Sequence, residues 1–178
     1  MIMEQATKGL IHIYTGDGKG KTTCALGLSV RAVGSGRKVY FLQFLKSWGS
    51  SEHNIKLEGL TMKTVEDKVK FVFNMDEEEK EENRRLNEQK FLEVTKLVEE
   101  EGYDMLVLDE IIGTIVMEQI SLDTVVNFLK NKPERLEVVM TGRDAPKELT
   151  DLADYVSEIK KIKHPFDKGM PARKGIEF

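Results

Sequence analysis

The chain has one cysteine, so Cys24 has no partner for an internal disulfide. Its position in an apolar helical stretch reads as that of a small buried residue. No apolar run approaches the length that spans a bilayer. Met1-Ile2-Met3-Glu4-Gln5 lacks a basic region followed by an apolar core, so no signal peptide is expected. Together these absences favour the cytoplasm and no membrane partner. Histidine is sparse as well: His12, His53 and His164 are scattered, and no Ser/His/Asp or Cys/His arrangement suggests itself. An excess of positive charge is also missing. The formal net charge is −4, and the stretch from Asp76 to Glu101 alone carries −6, leaving +2 elsewhere. That balance gives no electrostatic case for nucleic acid. Internal repeats and domain linkers are absent, so residues 1–178 read as one domain, long enough for a full core.

What is present is organised around Tyr14-Thr15-Gly16-Asp17-Gly18-Lys19-Gly20-Lys21-Thr22-Thr23. Leu10 to Tyr14 has the length and β-branched content of a buried strand. Thr22 to Val33 is apolar at helical spacing through Ala25, Leu28 and Ala32. Strand, glycine-rich turn and helix in that order make a phosphate-binding loop. Glycines let backbone N–H groups curl around phosphate oxygens, and the helix adds the positive end of its dipole. Lys21 would reach the outer phosphates, and the Thr22 hydroxyl would ligate Mg²⁺. The spacing is short: Gly16 and Gly20 enclose only Asp17-Gly18-Lys19, and Thr15 stands where the usual first glycine would be.

Further along, Lys38 to Leu42 reads as a second strand continuing into Gln43-Phe44-Leu45-Lys46, which completes a βαβ unit and points to a parallel sheet. Trp48 lies in a turn and reads as anchored packing. Ser51 to Leu57 suggests a short helix, and Leu60 to Val65 alternates like a strand. Phe71-Val72-Phe73 precedes a strong helix start, where Asp76 and Glu79 fit a capping box. The acidic run of that helix reads as a solvated face, with Phe91, Val94, Thr95 and Val98 supplying one face at helical spacing. Met105-Leu106-Val107-Leu108-Asp109-Glu110 is a buried strand ending in two acids, placed to hold Mg²⁺ beside the phosphate loop. Ser121 looks like the cap of a helix through Val125, Phe128 and Leu129. Leu136 to Met140 is a further strand leading to Thr141-Gly142-Arg143. Arg143 reads equally as a phosphate contact or a surface residue. Pro146 suits a helix start, and Tyr155 to Ile159 reads as a last strand. The basic tail from Lys160 to Lys174 reads by composition as a solvated terminus.

Four blocks then occur together: the loop at Tyr14–Thr23, Gln43-Phe44-Leu45-Lys46, Val107-Leu108-Asp109-Glu110 and Thr141-Gly142-Arg143. A fifth comprises Lys163-His164-Pro165-Phe166, Gly169, Ala172 and Lys174-Gly175-Ile176-Glu177-Phe178. In this set and order the chain resembles the ATP:corrinoid adenosyltransferases of the BtuR/CobO type. The short loop is itself that family's form, and the terminal block makes the tail part of the site.

The resemblance implies a RecA-like P-loop α/β fold with a mostly parallel central sheet flanked by helices, and a homodimer. It implies that Co(I) of a reduced corrinoid attacks the 5′-carbon of ATP, releasing triphosphate. The acceptor would be cobalamin, cobinamide or cobyrinic acid diamide. The metal would be Mg²⁺, or Mn²⁺ in its place, and an electron-donating flavoprotein would supply the reductant. Gly16, Asp17, Gly18, Lys19, Gly20, Lys21, Thr22 and Thr23 match the triphosphate-binding loop. Glu110, with Asp109 beside it, matches the acid associated with the metal, and Arg143 matches a phosphate contact. Phe71 and Phe73 align with an aromatic pair near the lower face of the corrin, and Phe73 stands where the family usually has tryptophan. Better-known members also carry a longer N-terminal extension that helps cover the site. A P-loop kinase or NTPase, and a non-catalytic nucleotide-dependent corrinoid-binding protein, are the other readings of the same loop.

Overall fold

A computed structural model of the protein describes residues 8–45, 50–65 and 72–178. Phe71, Trp48 and Lys46 lie outside the described residues.

Six strands form one sheet: β1 (Ile11–Thr15), β2 (Val39–Gln43), β3 (Leu60–Thr64), β4 (Met105–Asp109), β5 (Glu137–Thr141) and β6 (Tyr155–Glu158). The order across it is β3-β2-β4-β5-β1-β6, and every pairing is parallel. All the strands therefore end on the same edge, where open α/β sheets hold their ligands. β1, which feeds the phosphate loop, is separated from β4, which delivers the two acids, by β5 alone.

Strand side chains alternate between two packed layers. On one face Val39, Phe41, Met105, Val107 and Val139 meet Ala25 and Ala32 of α1 (Lys21–Gly34). On the other, Leu42, Leu106, Leu108, Val138 and Met140 meet four helices. These are α2 (Glu77–Glu100), α3 (Ile111–Val116), α4 (Leu122–Asn131) and α5 (Lys147–Thr150). Burial on both sides explains the continuous apolar runs of β2, β4 and β5.

The capping box of α2 forms as the sequence implies: the Glu79 N–H donates to Asp76, and the Asp76 N–H donates to Glu79. The pairs Lys80–Glu77, Arg85–Glu82 and Lys90–Glu93 run along its exposed face. Exposed pairs of this kind add little stability. Residues 51–57 give only a 3₁₀ turn, Ser51–Asn54.

Cys24 is exposed rather than buried. α1 buries Lys21, Ala25, Ser29 and Ala32. A residue one step before Ala25 is rotated about 100° around the helix, out of that stripe. β6, at the sheet edge, is exposed along its length. Among the described residues no helix is long and apolar enough to cross a membrane.

Candidate active site

A cavity of about 910 Å³ opens at the C-terminal edge of the sheet. The segment from Asp17 to Thr23 forms one wall, with Glu110 and Arg143 also lining the cavity. The turn at residues 51–55 and the tail complete it, the latter through Lys161, His164, Phe166, Asp167 and residues 175–178. The tail residues are largely exposed, as composition suggests, yet they line this site.

The loop is shaped by two kinds of glycine. Gly20 has φ 126 and nothing within 4 Å of a Cβ, so backbone conformation alone calls for glycine there. Gly18 is required by crowding: a Cβ would stand 2.7 Å from the Ile159 carbonyl oxygen. The Gly18 N–H donates to that same oxygen at 2.7 Å. Its amide is thus used to fasten the loop to the segment after β6. Asp17 takes part in the same fastening, accepting the Lys161 N–H at 2.9 Å. That backbone hydrogen bond holds the Asp17 carboxyl below its ordinary range. Amides for an anion come instead from the first turn of α1. Its first intrahelical bond, from the Cys24 N–H to the Gly20 oxygen, lies beyond the N–H groups of Lys21, Thr22 and Thr23.

Lys21 is buried, and its ammonium donates to the Gly18 carbonyl at 2.9 Å. Burial pushes its pKa down, Glu110 pulls it back up, and the nearby Arg143 pushes it down again. A polyanion in the cavity would remove that strain on the charged form. Lys19 and Arg143 reach the same space from exposed positions.

Asp109 ends β4 with no exposed surface. One carboxylate oxygen accepts the Thr141 hydroxyl at 2.7 Å; the other accepts the Gln43 amide at 3.0 Å and the Thr22 hydroxyl at 3.3 Å. Glu110 follows in a left-handed conformation, φ 62, which turns it away from the strand direction and into the cavity wall. Its N–H donates to the Thr141 hydroxyl at 2.8 Å. One hydroxyl on the intervening strand therefore sets both acids.

This donor set fits a hard divalent cation. It offers hydroxyl and carboxylate oxygen, and among the described residues no cluster of three or more His, Cys, Asp or Glu forms an all-protein cage. Hard divalent cations are commonly shared in this way between one or two protein oxygen ligands and substrate phosphates.

Phe73 stands apart from this cavity. It lies on a 3₁₀ turn, Val72–Asn74, with 78% of its surface exposed. It lines a second cavity of about 400 Å³ together with Met117, Arg84 and Gln119. α3 lies between its N-cap Glu110 at the first cavity and its C-cap Met117 at the second. Six helical residues span about 9 Å.

Strand, loop, helix and paired acids across an all-parallel sheet define a P-loop nucleotide-binding protein. The profile of the ATP:corrinoid adenosyltransferase family BtuR/CobO/CobP matches residues 7–178. The corrinoid adenosyltransferase of Escherichia coli (strain K12) is 35% identical over 176 residues, covering 98% of this chain and 88% of that protein. Corrinoid adenosyltransferase CobA of Salmonella typhimurium is 34% identical, with the same coverage. A corrinoid adenosyltransferase of a Sinorhizobium species is 33% identical, covering 96% of this chain and 81% of the relative. The chain belongs to the ATP:corrinoid adenosyltransferase family, and is an enzyme of the transferase class.

Sequence reasoning named the loop, Asp109, Glu110 and Arg143. It assigned no role to Gln43, Thr141, Ser51, Glu52 or Lys161. The signal available for Gln43 was a polar residue ending an apolar strand; its partner Asp109 emerges only from the β2–β4 register.

Proposed function

We propose that this chain transfers the 5′-deoxyadenosyl group of ATP to Co(I) of a reduced corrinoid. Cobalt supplies the electron pair of the new Co–C bond, the C5′–O bond breaks, and triphosphate leaves with that bond's electrons. The nucleophile is the reduced metal, so no general base is required. The protein's tasks are positioning and stabilisation of charge on the leaving group.

The observation that carries this reading is one cavity lined by the short glycine loop, Lys21, Glu110, Arg143 and residues 175–178, in a chain that matches the family over residues 7–178. The first-turn amides of α1, with Lys19, Lys21 and Arg143, would hold the triphosphate. Thr22 and Glu110 would hold Mg²⁺, or Mn²⁺ in its place, with Asp109 beside them. A bound divalent cation would neutralise charge on the triphosphate as it departs. Phe71 and Phe73 would cover the lower face of the corrin. Apolar rings there would keep water and polar ligands from that face and so make Co(II) easier to reduce. Cobalamin, cobinamide and cobyrinic acid diamide are the acceptor class. A flavoprotein would supply the electron, and the working unit would be a cytoplasmic homodimer of single-domain subunits.

The test is an anaerobic assay with ATP, Mg²⁺ and chemically reduced cobalamin, following Co(I) absorbance and released triphosphate. Stoichiometric triphosphate with a light-sensitive product is expected. Release of ADP would move the assignment to a kinase or NTPase. ATP binding without turnover would move it to a corrinoid carrier.

A further inference from the structure

Beside the phosphate site, the end of β2 carries a run of side-chain hydrogen bonds that triphosphate binding alone does not explain. Gln43 is 1% exposed and sits in register with Asp109. Its amide nitrogen donates to Asp109 Oδ2 at 3.0 Å and to Glu52 Oε1 at 3.1 Å. Both acceptors are carboxylate oxygens, so the amide has one sensible orientation, nitrogen toward the acids and oxygen away. That oxygen meets His53 Nε2 at 2.5 Å. A carbonyl oxygen only accepts, so Nε2 of His53 is the nitrogen that carries the proton.

His53 is itself held in place. It lies on the Ser51–Asn54 turn, where its N–H donates to the Ser50 oxygen at 3.1 Å. The same turn is tied to the tail, because the Ser51 hydroxyl donates to the Phe178 oxygen at 3.0 Å. At the other end of the run, Asp109 Oδ2 also accepts the Thr22 hydroxyl. Drawing that proton inward leaves the hydroxyl lone pairs for a cation in the cavity.

We propose that His53 is a positioning residue for the metal end of the ATP site. It fixes the Gln43 amide, the amide fixes Asp109, and Asp109 fixes the Thr22 hydroxyl. Without the His53 donor the amide oxygen loses its partner, and only the two carboxylate acceptors still hold the group. An amide tethered at one end lets Asp109 and the Thr22 hydroxyl drift from the cavity. The inference rests on the ATP and Mg²⁺ part of the proposed function and not on the corrinoid part.

The test is calorimetric titration of ATP into the full chain without corrinoid, once with saturating Mg²⁺ and once with EDTA. His53→Phe keeps a ring of similar size and removes the donor. It should weaken binding about fivefold with Mg²⁺, the worth of roughly one hydrogen bond, and leave binding in EDTA within about twofold. His53→Gln, which restores an N–H of similar reach, should return the Mg²⁺ value to within about twofold of the parent. Gln43→Met should reproduce the Mg²⁺-selective loss, and adding His53→Phe to it should change nothing more. An equal loss in both conditions would overturn the proposal in favour of a general structural role. So would an unaffected His53→Phe, a His53→Gln as poor as His53→Phe, or an additive double variant. Parent binding that ignores Mg²⁺ would overturn the metal reading together with this proposal. Intact Mg²⁺-dependent binding without adenosyl transfer would overturn the corrinoid reading alone.

Discussion

Thr141→Val replaces a buried hydroxyl with a methyl group. Valine suits a buried strand, but it can neither donate nor accept a hydrogen bond. The hydroxyl it removes donates to Asp109 at 2.7 Å and accepts the Glu110 N–H at 2.8 Å. A hydrogen bond to a charged group is worth about 1.5–3 kcal/mol, and a neutral one, such as that to the half-buried Glu110 N–H, about 0.5–1.5 kcal/mol. Asp109 still has Gln43 and Thr22 on its other oxygen, which tempers the first loss. A net destabilisation of about 3 kcal/mol follows, or a fall in Tm of about 6–12 °C for a domain of this size. Glu110 also loses the bond that holds it at φ 62, so MgATP affinity should fall about tenfold. Urea and thermal unfolding of the parent, Thr141→Val and Thr141→Ser, followed by circular dichroism, measure the first effect; calorimetry with MgATP measures the second. Thr141→Ser keeps the hydroxyl and should lie within about 1 kcal/mol of the parent. A valine variant as stable as the serine variant, binding MgATP equally well, would refute the idea that one hydroxyl sets both acids.

The two kinds of loop glycine should separate on substitution. Gly18→Ala drives a methyl into Ile159 and breaks the fastening of the loop, so ATP affinity and Tm should both drop. Gly20→Ala meets open space and costs about 1–3 kcal/mol of backbone strain; a Gly18→Ala no worse than Gly20→Ala in thermal melts would count against the crowding argument. At the opposite sheet edge, burial alone would raise the Glu137 pKa, but hydrogen bonds from His12 and the Leu10 N–H, with the charges of His12 and Arg37, bring it below 4.5. Its stabilising contribution is therefore present above the unfolded value and lost as pH falls through the lower folded value. Glu137→Gln should flatten that acid limb in unfolding curves between pH 3 and 6. Phe73→Ala removes a ring that is 78% exposed, so stability and ATP binding should hold while Co(II) reduction slows. An unchanged Co(II) spectrum and rate would end the aromatic-cover reading.

Much of this architecture was legible because it is local. The loop sits between a strand and a helix that follow each other directly, and the capping box of α2 spans four residues. Asp109 and Glu110 end an apolar run, so their position at the sheet edge follows from the strand itself. The residues that escaped notice act across distance. Thr141 matters because β5 lies between β1 and β4, and no neighbour in sequence reveals that order. Gln43 matters through register with a strand 66 residues away. Gly18 invited a phosphate role by motif alone, yet its missing side chain makes room for Ile159 and its N–H is committed there. Cys24 was misplaced by one helical step, because apolar character does not say which side of α1 faces the sheet.

The strand order also sets a timetable for the growing chain. β1 is made well before both its sheet neighbours: Ile11 pairs with Val138, and His12 with Tyr155. At roughly 5–20 residues per second, the partner of Ile11 follows about 6–25 s behind it. Through that interval the phosphate loop hangs from an unpaired apolar strand, and the backbone that seats Gly18 has yet to be made. The phosphate loop therefore lacks its seat until β5 and the segment after β6 are made. Ligand binding stabilises only the finished sheet, and the early strand depends on shielding from aggregation until β5 and β6 arrive.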